Sequence, residues 1–296
     1  MIAQQILNGL VSGSVYALFA LGLTLILGVY RVLNLAHGAV FMVGAFAGLF
    51  GVLSGLPLWL AVICAVLTTG LLGVLIDLVA IRPLGHRHEA EFAVVVSTIG
   101  VNQILINIAQ HLSNTTTMRF PFGTFPVLFF TVLGLRISLL QIVIVLTVAV
   151  LLGLVVWYLY YTGYGRQVRA VAGNPRAAVL LGVSPRVVYF QTYFIAGALA
   201  GVAGVLIGLS FNSVYFLMGE PYMLRAFVVI VLGGLGNIPG AVLGGLLLGV
   251  AQTLTAAYLP SSLGDVIIFS CLFLVLLMRP EGLFSRHAQG LGADRR

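Results

Sequence analysis

Residues 138–160 read SLLQIVIVLTVAVLLGLVVWYLY, and the chain carries no charge from residue 137 to residue 165. A helix of about 20 apolar residues crosses the hydrocarbon core of a bilayer, and in lipid a helix satisfies its own backbone groups. This stretch reads as a membrane-spanning helix, and it is not alone. Charge-free runs also cover 1–30, 32–76, 92–118, 187–219 and 226–264. Of 296 residues, 61% are hydrophobic and 7% charged, with a mean hydropathy of +1.16, where a soluble domain is about 25% charged. That excludes a soluble globular enzyme. A disordered chain needs the opposite balance of apolar and charged residues, so the chain is an integral membrane protein.

Working outward from 138–160, the expected spans are 5–29, 34–53, 57–80, 92–111, 138–160, 187–210, 238–257 and 263–278. The run 32–76 divides at the turn Ser54-Gly55-Leu56-Pro57. Residues 222–236 are too short for an ordinary span and end in Gly233-Gly234-Leu235-Gly236-Asn237, so a short or re-entrant helix is expected there. The fold class is all-α: a polytopic bundle of about eight or nine transmembrane helices in a single domain, 1–296. No soluble domain fits, because the longest polar loop, 161–186, is too short for a core of its own.

All fourteen basic residues are arginines, against seven acids, for a net charge of +7. A nucleic-acid binder carries its charge as a soluble patch with stacking aromatics. Here the arginines lie between apolar runs and report topology. Short cytoplasmic loops collect positive charge. Arg166, Arg169, Arg176 and Arg186 share one loop, Arg82 and Arg87 another, and Arg279, Arg286, Arg295 and Arg296 the C-terminal tail. With Arg31 they place eleven of fourteen arginines inside. Arg119, Arg136 and Arg225 then fall in outer loops, the N-terminus faces outward and the C-terminus is cytoplasmic. This parity requires an odd number of crossings, and nine are expected, with 222–236 as a short ninth or a further span merged or missed elsewhere. The N-terminus lacks a charged leader and a small-residue cleavage site, and reads as a retained first helix. Cys64 and Cys271 lie in apolar segments and define no disulfide framework.

Glycines recur four residues apart: Gly9 and Gly13, Gly44 and Gly48, Gly197 and Gly201, Gly204 and Gly208, Gly236, Gly240 and Gly244, and Gly245 and Gly249. Such spacing lets helix backbones approach closely; packing within the bundle and contact with a second subunit both fit. There is no P-loop, no lysine, no H-E-x-x-H and no nucleophile elbow, so no catalytic residue and no metal site is expected. Ionisable groups in the spans are sparse: His37, Asp77 and Asp265. Asp77, at the inner end of its span, is expected to pair with a cytoplasmic arginine. An ion-coupled secondary transporter, the alternative function, would need carboxylates near the midplane.

Uncharged polar residues are more plentiful. Asn8 and Ser12 are one helical turn apart, Asn34 and His37 open the second span, and Ser97, Thr98, Asn102 and Gln103, with Asn107, mark the fourth. These residues line a solute path or hydrogen-bond between helices; as a group they make the fourth helix the pathway candidate. In the loop, Asn174 is placed to cap a short helix with Pro175 at its first position, and Gly182 lies just past its end. A short arginine-flanked helix, apolar on Ala178, Leu181 and Val183, is expected to dock on another protein.

At this loop the sequence resembles the permeases of ATP-driven (ABC) importers, whose cytoplasmic E-A-A-x-x-x-G element fits a cleft of the ATPase subunit. Arg176-Ala177-Ala178-Val179-Leu180-Leu181-Gly182 keeps the spacing, with Arg176 in place of the glutamate. A closer resemblance covers nearly the whole chain, to the branched-chain amino acid permeases of the Liv type and specifically the H-like subunit. It rests on residues 7–18 (LNGLVSGSVYAL), Gly22-Leu23-Thr24-Leu25, Asn34-Leu35-Ala36-His37-Gly38, Ser97-Thr98-Ile99-Gly100, the 169–182 loop and residues 233–241 (GGLGNIPGA). The resemblance implies a bacterial inner-membrane subunit that is not itself an enzyme. Its partners would be a homologous second permease, two cytoplasmic ATP-binding subunits and a periplasmic solute-binding protein. It also implies that ATP and Mg are bound by the partner ATPases, with no cofactor here. The docking residues would be Arg169, Asn174, Pro175, Arg176, Ala177, Ala178, Leu181 and Gly182. Leucine, isoleucine and valine are the default solutes; related small amino acids or amides are the neighbouring class.

Overall fold

A computed structural model describes residues 2–84, 90–132, 134–260 and 264–279. Arg87, Arg286, Arg295 and Arg296, which entered the orientation argument, lie outside the described residues, as do the side chains of Asp265 and Cys271. The helices are α1 (Ile2–Tyr30), α2 (His37–Leu53), α3 (Leu58–Ile76), α4 (Ala90–Leu112), α5 (Leu139–Tyr161), α6 (Gly163–Gly173), α7 (Pro175–Leu180), α8 (Pro185–Phe211), α9 (Gly219–Gly233), α10 (Ile238–Tyr258) and α11 (Gly264–Met278). Each expected span is a helix. Among the described residues six helices are long and apolar enough to cross a membrane, and α2 is a shorter apolar one. The chain is thus a multi-pass helical bundle.

The departures from the expected bounds have local causes. The second span starts at His37, because residues 34–36 form a turn in which Asn34 Oδ1 accepts from Ala36 N (3.0 Å) and the Asn34 carbonyl from His37 N (3.3 Å). Beyond Ile76, α3 continues as a π-helical turn, Asp77–Ile81. The short helix near 222–236 is α9, displaced toward the N-terminus; it stops where Gly234 takes φ +89° and Gly236 φ +78°. Its 15 residues rise about 22 Å, less than the roughly 30 Å of a bilayer core. The segment between α4 and α5 contains an antiparallel hairpin, β1 (Phe129–Val132) and β2 (Leu135–Ser138), with Phe129 opposite Ser138 and Val132 opposite Leu135. Ser138 then opens α5 through a capping box with Gln141.

Among the six long spans α1 is the most buried: 83% of its most apolar stretch is covered, against 17% for α5 and 22% for α4. The centre is therefore α1 with α2, α8 and α10 around it, while α4 and α5 are peripheral. Glycines make the central packing possible. A Cβ at Gly9 would lie 2.6 Å from Val250 Cα, one at Gly13 2.7 Å from the Gly245 carbonyl, and one at Gly245 2.6 Å from Ala17 N. The α2–α8 contact uses Gly44 against Gly201, and α3–α8 uses Gly73 against the Tyr193 carbonyl. These glycines serve packing within this bundle.

The two ends of α1 identify the two ends of the molecule. At its start the Gln4 side-chain amide pairs with the backbone of Arg136 in β2, donating to its carbonyl (2.9 Å) and accepting from its N–H (3.0 Å). At its other end Arg31 donates to the carbonyls of Ala172 and Gly173. The hairpin and the α6–α7 segment therefore lie at opposite ends of a helix about 43 Å long. Between α1 and α2 the chain folds back into the bundle: the His37 ring stacks on Phe19 at 4.8 Å, and a Cβ at Gly38 would lie 3.0 Å from the Gly219 carbonyl. The starts of α2 and α9 thus meet in the interior.

Candidate functional site

Helix α7 is tightly defined for six residues. Asn174 Oδ1 accepts from the N–H groups of Arg176 (3.0 Å) and Ala177 (3.1 Å), Pro175 fills the first turn, and Gly182 takes φ +79° just beyond. Two of the expected outward residues turn inward: Ala178 is buried, and Val183 is half-buried against the core. The apolar residues that α7 offers outward are Val179, Leu180 (88% exposed) and Leu181 (80%). The reason is phase, since Ala178 lies on the side of α7 turned toward the bundle, opposite Leu180 and Leu181. Arg169 is exposed but folds back on the end of α5. Its Nη1 donates to the Leu159 carbonyl, and its guanidinium lies over the Tyr160 ring at 5.4 Å. Pro175, Arg176 and Ala177 are exposed.

Above this end lies a buried polar cluster. Asp77 is fully buried, Arg82 Nη2 pairs with its Oδ2 at 2.6 Å, and the Tyr30 hydroxyl donates to its Oδ1. On an α-helix, residues five apart are rotated by about 140°. The π-turn, closed by Arg82 N to the Asp77 carbonyl at 2.8 Å, brings them onto one side. Tyr30 packs in turn on Tyr189 (4.1 Å) and Tyr193 (5.2 Å) of α8. Among the described residues this is the one salt bridge. The expected carboxylate–arginine pair is present, and the acid is neutralised where ion coupling would need it free.

The eight expected pathway residues do not form one lining. Asn34, His37 and Thr98 come together: Thr98 is buried, accepts from Leu35 N (3.2 Å) and donates to the Val95 carbonyl (2.9 Å), pinning the 34–37 turn to α4. His37 is buried, and its Nε2 has no partner among the described residues. Asn8 bridges α1 to α5, accepting from Gln141 Nε2 at 3.0 Å. Ser12 and Ser97 are half-buried. On α4, Asn102 is half-buried and Gln103 exposed. Exposed Asn107 and His111 continue that face into a polar hollow of about 450 Å³, lined by Asn107, Gln110, His111, Asn114 and Thr115.

A further cluster was not foreseen. Arg225, expected in an outer loop, lies within α9 and is half-buried. Its guanidinium sits over Tyr222 (5.2 Å) and Tyr16 (5.6 Å). The hydrogen-bond network orients the Gln252 amide so that its oxygen accepts from Arg225 Nη2 (2.9 Å) and Nε (3.2 Å), and its nitrogen donates to Tyr16 Oη (2.8 Å). Three helices, α1, α9 and α10, supply these four residues. The available signal was the helical period of 219, 222, 226 and 229, all buried, which starts α9 upstream of 222.

With this geometry in view, comparison with known proteins is direct. A family model described as "Branched-chain amino acid transport system / permease component" matches residues 5–276. The high-affinity branched-chain amino acid transport system permease protein LivH of Salmonella typhimurium is 35% identical over 96% of this chain and 95% of its own. The corresponding protein BraD of Pseudomonas aeruginosa is 36% identical, with the same coverage. The probable branched-chain amino acid transport permease protein LivH of Methanocaldococcus jannaschii is 28% identical over 95% of this chain and 92% of its own. These relatives are transport permeases rather than enzymes. A match over almost the whole bundle, including α7 and the interior turn at 34–38, shows that the chain belongs to the family of branched-chain amino acid transport permease components.

Proposed function

We propose that this chain is one of two homologous permease subunits of an ATP-driven importer. It carries leucine, isoleucine, valine or a related small amino acid or amide delivered by a periplasmic binding protein. The observation that carries the reading is α7: a capped, arginine-flanked helix whose Leu180 and Leu181 are exposed at the end of the bundle opposite the hairpin. Exposed leucines beside arginines, outside the spans, form a surface for a protein partner. Two cytoplasmic ATP-binding subunits are that partner, and they hold ATP and Mg. The chain then sits in a bacterial inner membrane with the hairpin outside and α6–α7 inside.

The mechanism follows from how α7 is tied to the spans. Ala178 anchors it to the bundle, Arg31, the residue after α1, reaches the carbonyls just before it, and Arg169 fastens α6 to the end of α5. Displacement of α7 by closing ATPases therefore tilts α1 and α5 together. The alternation between outward-open and inward-open states is driven by the different affinities of the partners for each. The exposed amides of α4 face the second permease across a wet path, since polar side chains in a span are costly toward lipid. Replacing Leu181 with Asp tests the reading. The ATPase subunits should no longer co-purify with the variant, which still inserts and folds; undiminished co-purification and uptake would contradict it.

A further inference from the structure

We infer that Arg225 is the receptor for the carboxylate of the transported amino acid, an inference that rests on the amino-acid reading above. Tyr16 is the middle residue of the 29-residue α1, about 21 Å from either end, so the guanidinium over its ring is deep in the bundle. A charge at this depth is costly unless it serves a function or is paired. Arg225 makes no salt bridge among the described residues; the groups facing it are two tyrosine rings and an amide oxygen, all uncharged. Gln252 engages Nε and one proton of Nη2. Three of the five guanidinium protons remain, on Nη1 and Nη2, the edge that grips a carboxylate with two parallel bonds.

The surroundings fit the rest of such a solute. Asn8, Ser12 and Tyr16 lie one turn apart down α1, from the hairpin end to the guanidinium. Beyond Tyr16 the polarity changes: Phe41 stacks on Tyr222 at 4.8 Å and Phe19 packs on Phe41 at 5.0 Å. A polar face of α1, one cation and an aromatic cluster behind it match a carboxylate carried on a short apolar side chain.

The test uses the chain purified with its partner subunits in lipid nanodiscs and in proteoliposomes. Millimolar leucine should raise the thermal unfolding midpoint, whereas leucinol, which lacks the carboxylate, should not. Arg225→Gln should abolish the leucine shift and lower uptake about tenfold or more, the scale of losing a charge-assisted pair. Arg225→Lys should restore only part, since an ammonium lacks the planar fork. Gln252→Glu separates a binding role from a packing role. It ties Arg225 down more firmly, so packing is kept or strengthened, while the new carboxylate occupies the guanidinium and uptake falls. Equal stabilisation by leucine and leucinol, or by neither, overturns the inference, as does full uptake by Gln252→Glu. A wild-type complex that imports no leucine would instead overturn the amino-acid reading, and with it the inference that rests on it, whereas leucine uptake without a leucine-specific shift overturns the role of Arg225 alone.

Discussion

Asp77 shows what a single buried charge demands of this chain. The carboxylate has no exposure and is held by Arg82 and Tyr30, so removing it strands a guanidinium whose side chain is 29% exposed. Breaking a fully buried pair costs about 3–5 kcal/mol. With Arg82 partly open to solvent, Asp77→Ala should cost about 2 kcal/mol, read as a lower thermal unfolding midpoint in nanodiscs. Asp77→Asn should cost less, because an amide oxygen still accepts from Tyr30. That Asp77 would meet an arginine was legible in the sequence, from its place beside the basic loop. That Arg82 is the partner was not, because an ordinary helix turns residues five apart away from each other. Arg225 was misplaced for a similar reason: Tyr16 and Gln252, which hold it, lie more than twenty residues away along the chain.

At the scale of elements, glycine spacing and helix caps carry most of the order. Gly13, Gly245 and Gly249 bring α1 and α10 to backbone contact, so Gly245→Val should overpack this seam by about 1–3 kcal/mol and lower the yield of folded protein. Gly182 is a different case. Nothing lies within 4 Å of a Cβ there, but its φ is +79°, so Gly182→Leu strains only the end of α7, by about 1–2 kcal/mol. That variant should insert normally and lose solute-stimulated ATPase activity in the assembled complex; unimpaired coupling would count against α7 as the docking element. The cap at Asn174 and the stop after Gly233 were readable, because capping is local chemistry. Which face of α7 looks outward was not, since it depends on where α8 lies beneath it. The preceding α6 was missed although Gly165, Val168 and Val171, its buried residues, keep helical spacing; its arginines and glycines read as loop.

At the scale of the molecule, long charge-free runs made the bundle legible almost to the residue, whereas the inward fold of residues 31–38 was not. A hydropathy count treats α2 as one more crossing. Its start is buried against Phe19 and Gly219 because Asn34 and Thr98 supply hydrogen bonds that lipid cannot. The peripheral α4 and α5 leave broad apolar faces open, and the polar hollow on α4 opens with them. The proposed second permease, seated against α4, would cover the exposed amides, and a cross-link between Asn107→Cys and that subunit should then form in the assembled complex.

On the proposed function, this bundle moves an amino acid only when separate ATPases act on α7. The direct measurement is leucine uptake into proteoliposomes containing the purified complex, with the binding protein outside and ATP inside. Uptake should require ATP, binding protein and ATPase subunits together, and should be lost in the Leu181→Asp chain. Leucine uptake by this chain without ATPase subunits, driven by an ion gradient, would contradict it.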